Sequence, residues 1–172
     1  YSIFIYMTSV QIITLENYCL KYEIYDTLLK NSLFWNQLIG ENCFDLEYLH
    51  DELTHINNHI LLAFDPNLRV YDNIEGILIY RKIPNLKDYF SKINYSSITL
   101  LAKRINSNHK WLGKNMIDFF RIRLNEKTKV ILADDTDIPN YYTKLGFKKE
   151  NKYKYKKILD EFDRNIYSKI FN

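Results

Sequence analysis

Two short apolar runs, Ile98 to Ala102 and Val130 to Ala133, flank a single amphipathic helix, and that order constrains the fold of this chain more than any other feature. The helix carries Leu112, Met116, Phe120 and Leu124 on one face and Lys114, Asp118, Arg121 and Asn125 on the other, so one side must pack and the other must stay wet. Val130 to Ala133 has no polar residue, as expected of a strand covered on both faces. Strand, helix and doubly covered strand in succession call for a sheet with helices laid on it.

The flanking sequence supplies the remaining elements. Ser9 to Leu15 has strand character, and Leu20, Ile24 and Leu28 follow at the spacing of one helix face. A second helical pattern spans Trp35 to Ile56 around Leu46, Leu49 and Leu53, with Asp45 placed to cap it. Ile60 to Phe64, a turn at Asp65-Pro66-Asn67, and Ile74 to Arg81 read as an antiparallel hairpin. Pro84 to Ser96 reads as a loop that covers a site. Asp137 is placed to cap a short helix with Pro139 in its first turn, and Gly146 suits the left-handed residue that ends it. Lys152 to Ile158 alternates like a strand, and residues 159–172 read as a terminal helix.

A chain of 172 residues, 47% of them hydrophobic, has enough apolar surface for one core, so a single domain over 1–172 is expected, with 1–6 as an extension before Met7. Aromatic residues at 16% argue against disorder. No apolar run approaches the roughly 18 residues of a membrane span, and the reading is a soluble protein. Cys19 and Cys43 lack disulfide or metal spacing, which suits a reducing, cytoplasmic setting. His50, His55 and His59 lack the His-Glu-x-x-His arrangement, and no metal is expected. Lysines crowd Lys144 to Lys157, which admits a nucleic-acid reading. Alternation favours instead a solvated strand face of Lys152, Lys154 and Lys156 opposite Tyr153 and Tyr155.

The turn Asn106-Ser107-Asn108-His109-Lys110-Trp111-Leu112-Gly113 opens the amphipathic helix, whose first N–H groups and dipole favour an anion. Gly113 permits close approach to the backbone, and Lys103, Arg104, Lys110 and Lys114 add positive charge.

With these residues on view, the segment resembles the GNAT superfamily of acyl-CoA-dependent N-acetyltransferases. The pyrophosphate signature of that family is Arg/Gln-x-x-Gly-x-Gly/Ala; here Asn108 takes the first place, Trp111 that of the first glycine and Gly113 that of the second, followed by Lys114. Tyr142-Thr143-Lys144-Leu145-Gly146-Phe147 is similar to the family's Tyr-x-Lys-x-Gly-Phe ending, and Gly76 matches a glycine common at the start of its third strand. The stretch Asn108 to Lys114 also resembles the glucosamine-6-phosphate N-acetyltransferase branch.

The resemblance implies an α/β (α+β) fold with a mixed, mostly antiparallel sheet, flanked by helices and splayed between Leu101 and Leu132. Acetyl-CoA would then be the co-substrate. Leu101, Ala102 and Lys103 would pair with its pantetheine arm, and Asn108, His109, Lys110, Trp111, Leu112, Gly113 and Lys114 would hold the pyrophosphate. Asn140 and Lys144 would add contacts. Tyr142 would be the general acid, because a phenol near pKa 10 can protonate a thiolate whose conjugate acid lies near 8.5. Thr99 stands where relatives often carry a glutamate, so Asp134 and Asp135 are the candidate bases, directly or through water. The plain alternatives stay open: Tyr142 as a core residue and the aspartates as a solvated turn. Ile138 replaces a family asparagine.

The expected partner is a small-molecule or protein amine: an amino sugar phosphate, a polyamine, a lysine or a protein N-terminus. Neither membrane nor nucleic acid is expected, and a homodimer is allowed. A catalytically silent GNAT-like binding module is the second reading, suggested by Trp111, Thr99 and Ile138.

Overall fold

The protein is described by a computed structural model covering residues 10–16, 18–27, 29–40, 45–69, 72–84, 92–124, 126–134, 140–155 and 164–172. Strand β1 (Gln11–Leu15) leads into helices α1 (Tyr18–Thr27), α2 (Leu33–Gly40) and α3 (Leu46–Thr54). Then come β2 (Asn58–Phe64), β3 (Ile74–Lys82), β4 (Asn94–Lys103), α4 (Leu112–Arg123) and β5 (Thr128–Asp134). A four-residue helix α5 (Tyr141–Lys144), β6 (Lys148–Glu150) and β7 (Asn165–Phe171) complete the order. The strands form one seven-stranded sheet in the order β1-β2-β3-β4-β5-β7-β6. It is mixed: β4 and β5 run parallel, whereas β1–β2, β5–β7 and β6–β7 are antiparallel. The mixed sheet flanked by helices is the α/β architecture expected from the sequence.

The chain divides into two compact units, each built from two stretches of sequence: Tyr1–Tyr80 with Leu100–Phe120, and Arg81–Thr99 with Arg121–Asn172. In the first unit, α2 and α3 bury Phe34, Trp35, Leu49 and Leu53 in one core with Ile60 and Ile77. Asp45 caps α3 by accepting from the Glu47 N–H at 3.0 Å. At the other end of α3 the fully buried Lys21 of α1 donates to the carbonyls of His55 and Asn58, both at 2.7 Å. Those carbonyls would otherwise lack partners away from water, so a single ammonium ties α1 to the end of α3. Burial pushes its pKa below the usual lysine value. The turn after β2 is fixed by the Asp65 side chain accepting from the Asn67 N–H at 2.9 Å and by the Asp65 N–H donating to Asn73 O at 2.8 Å.

In the second unit β5 is paired on both edges. Its parallel register with β4 runs from Asn94↔Thr128 to Ile98↔Leu132, and its antiparallel register with β7 runs from Thr128↔Phe171 to Asp134↔Asn165. Val130, Ile131 and Leu132 are accordingly buried, which is why this run carries no polar residue. β4 continues past its last recorded rung with β5, from Thr99 to Lys103.

Three sequence expectations change. The end of the chain is not a helix: Asn165–Phe171 is β7. Ile166 and Ile170 fit a helical spacing, but this segment fills the place between β5 and β6, whose backbone groups need it as a partner. The strand expected from Lys152 lies earlier, at Lys148–Glu150, and Lys152–Lys154 form a 3₁₀ turn capped by Asn151, which accepts from the Tyr153 N–H. Tyr153 is exposed while Tyr155 is buried, so the two tyrosines do not share a strand face. β4 also begins at Asn94, so the last residues of the expected 84–96 loop are strand. The expectations for Met7, Cys43, Asp135, Asp137, Ile138 and Pro139 lie outside the described residues.

Candidate active site

The turn that enters α4 is held by acids the sequence reading passed over. Glu75, in β3 and almost fully buried, forms an ion pair with the Arg104 guanidinium at 2.6 Å and accepts from the Ser107 hydroxyl at 2.5 Å, while its own carbonyl accepts from the Arg104 N–H at 2.8 Å. Arg104 also donates to the Asp72 carbonyl at 2.6 Å. Ser107 in turn accepts from the His109 N–H at 3.2 Å, and the His109 imidazole lies 3.5 Å from the Asp65 carboxylate. Loop position is therefore passed from a buried strand residue to the amide just before the helix. Next to Glu75, Gly76 is needed for space: a Cβ there would lie 3.0 Å from Met116 Sδ and 3.1 Å from both Ala102 O and Leu112 Cδ2.

Arg104 is engaged by Glu75, and Lys114 pairs with Asp118 at 2.5 Å on the exposed face of α4. Lys103 and Lys110 are the exposed cations of the turn. At the start of α4 the Leu112 N–H is taken by His109 O at 3.2 Å, and the cap position is Trp111, which has no side-chain oxygen to satisfy the amides that follow. Those amides retain the capacity to hold an anion, and the exposed Lys110 lies in the turn just before them. The pyrophosphate of an acyl-CoA fits such a donor set. The Trp111 indole is exposed and borders a pocket of about 240 Å³ with Val10, Ile12, Asn108, His109, Lys110, Leu112 and Asn115.

In the second unit, Tyr142 lies on α5 and is buried. Its ring meets Tyr141 at 5.1 Å and Phe147 at 5.9 Å edge-on, and Tyr167 of β7 at 5.8 Å. Burial also raises the pKa of the neighbouring Tyr141. The motif glycine has two jobs here. Gly146 adopts φ +82°, the left-handed conformation that stops α5, and Lys169 of β7 lies over it. The Lys169 ammonium donates to Leu145 O at 2.6 Å and sits 5.7 Å from the Phe147 ring and 5.0 Å from the Phe171 ring. Aromatic packing and this cation fix where the helix ends, and with it the backbone of Tyr142. Asn140 precedes α5 with φ 60° and makes no side-chain cap, and Lys144 is exposed.

Leu101, Ala102, Lys103 and Asn108 to Lys114 belong to the first unit, and Asp134, Asn140, Tyr142 and Lys144 to the second. Glu75 and Lys169 were missed, and Asp65 and Ser107 were read only as turn residues. Only Glu75 left a signal, as a lone acid at the head of the apolar run Ile74 to Tyr80. Among the three histidines, His50 meets the Tyr25 ring, His55 accepts from the Asn57 N–H, and His59 stacks on Tyr80 at 5.0 Å. No group of three potential metal ligands occurs among the described residues. No helix among them is long and apolar enough to cross a membrane.

No protein-family model matches the sequence, and sequence comparison with curated proteins gives no match. Solved structures do match the fold. A GNAT-family acetyltransferase from Staphylococcus aureus Mu50 superposes with a TM-score of 0.65 at 16% identity, covering 94% of this chain and 99% of the other. GCN5 from Tetrahymena gives 0.61 at 16% identity, covering 91% and 89%. Arabidopsis thaliana Naa50, solved with the bisubstrate analogue CoA-Ac-MVNAL, gives 0.50 at 17% identity, covering 95% and 97%. The seven-stranded mixed sheet, its helices and their order are therefore the fold of the GNAT acetyltransferases.

Proposed function

We propose that the protein is an N-acetyltransferase that moves the acetyl group of acetyl-CoA to a primary amine. The observation that carries this reading is the entrance to α4: a helix start whose cap position, Trp111, has no side-chain oxygen, preceded by a turn that Glu75 and Ser107 hold and that carries the exposed Lys110. An acyl-CoA supplies a diphosphate for those amides and a thioester for the chemistry. The fold, shared with acetyltransferases, one of them solved with a CoA–peptide analogue, supports the same assignment.

In this reading the amine attacks the thioester carbonyl directly and the C–S bond breaks. Tyr142 gives its proton to the departing thiolate, and Asp134 or Asp135, directly or through water, takes the proton from the amine. Most of the acceleration comes from holding the two reactants together. The acceptor classes to screen are amino sugar phosphates, polyamines and peptide amines, since a peptide is the acceptor half of the Naa50 analogue. Cysteines without framework spacing are consistent with work in a reducing, cytoplasmic setting.

Calorimetric titration with acetyl-CoA tests the cofactor, and Tyr142→Phe tests the acid. The variant should bind acetyl-CoA as the parent does and lose about 10²-fold or more in turnover. Unchanged turnover removes Tyr142 from the mechanism. A second reading, a silent binding module, is favoured by Thr99 in the place where relatives often carry an acid. Tight acetyl-CoA binding with no transfer to any of the three amine classes would establish it.

A further inference from the structure

Trp111 is 71% exposed, whereas Trp35, the other tryptophan of the chain, is 2% exposed. An indole left in water forgoes the apolar burial that normally places this residue inside, so its position calls for a partner. It lines a pocket of about 240 Å³ together with the aliphatic Val10, Ile12 and Leu112 and the amide-bearing Asn108 and Asn115. That volume falls below the roughly 300–1,000 Å³ of sites that take a whole drug-sized ligand, so it suits one ring system. A flat indole face, aliphatic neighbours and side-chain amides together match a nitrogen heterocycle. The pocket also includes His109 and Lys110, residues of the turn assigned above to the diphosphate.

Resting on the acetyl-CoA reading, we infer that this pocket seats the adenine ring of the cofactor, stacked on Trp111, and that Trp111 selects for the nucleotide half of CoA. The residue standing in the place of a glycine thus adds a contact instead of blocking the loop. Its indole is exposed and lines the pocket, where a ring can cover it.

The test uses the full chain and three probes: CoA, 3′,5′-ADP, and 4′-phosphopantetheine, which lacks the adenosine. Because Trp35 is buried, emission quenched by acrylamide reports Trp111. CoA and 3′,5′-ADP should shield that emission, and 4′-phosphopantetheine should not. Trp111→Ala should weaken CoA about tenfold, within the range for one base stacked on an aromatic side chain, leave 4′-phosphopantetheine nearly unchanged, and be rescued by Trp111→Phe. If the alanine variant weakens CoA and 4′-phosphopantetheine equally, or 3′,5′-ADP gives no shielding, the ring seat is refuted while the acetyl-CoA reading stands. If calorimetry finds no CoA binding, both fall together.

Discussion

Glu75→Gln separates what the buried acid does for stability from what it does for the loop. The substitution keeps size and one acceptor but removes the charge facing Arg104, whose guanidinium is 18% exposed against 1% for the carboxylate. Breaking a buried pair on one side costs about 3–5 kcal/mol. The remaining water access of Arg104 and its bond to Asp72 O reduce this to about 2–3 kcal/mol. For a chain of this length that corresponds to a melting temperature lower by about 4–12 °C, readable by calorimetry or dye fluorescence. The acetyl-CoA dissociation constant should rise as well, because the charge-assisted bond that holds Ser107, and through it the His109 amide, is weakened. Glu75→Leu combined with Arg104→Met restores much of the stability, since apolar replacement of a buried pair is often neutral, yet does not restore affinity. A Glu75→Gln protein that melts within about 1 °C of the parent and binds acetyl-CoA equally well refutes the argument.

Gly146→Ala forces a side chain into φ +82° and against the Lys169 ammonium, 3.1 Å from the new Cβ. The left-handed conformation alone costs about 1–2 kcal/mol. Urea unfolding should show at least that loss, and Lys169→Met in the same chain should relieve only the steric part. A neutral Gly146→Ala contradicts the backbone reading. Glu150 accepts from Lys129 at 2.7 Å and from Ser168 at 2.5 Å. Burial raises the pKa of Glu150, but the bonds from Lys129 and Ser168 and the Lys129 and Lys154 charges outweigh it, so the net shift is downward. Lys129 is shifted up despite its own burial, through Glu150 and Tyr155. A lowered carboxylate pKa stabilises the fold above its unfolded value, 4.5, and that stability is lost as pH falls through the folded value. A raised lysine pKa stabilises below 10.5 and is lost as pH rises through the folded value. Glu150→Gln should therefore cost about 2 kcal/mol at neutral pH, with the gap to the parent closing in acid and again in strong base. A gap independent of pH rules the pair out as its source.

What the sequence determined by itself was whatever a local period or a single residue type could encode. The fourfold spacing of Leu112, Met116 and Phe120 specified α4, the all-apolar Val130 to Ala133 specified a strand paired and covered on both sides, and Asp45 and Gly146 marked a helix start and a helix stop. Tertiary structure decided the rest, because those outcomes depend on partners far away in the chain. Ile166 and Ile170 satisfy a helical spacing, and only the open edges of β5 and β6 make that segment a strand. Arg104 reads in the sequence as one more cation of the turn, and only the fold pairs it with the buried Glu75; Lys169 likewise reaches Gly146 only because β7 lies beside it. A charge reads the same in sequence whether it meets a ligand or a buried carboxylate; which one it meets is fixed by the packing that brings residues 32 or 24 positions apart into contact.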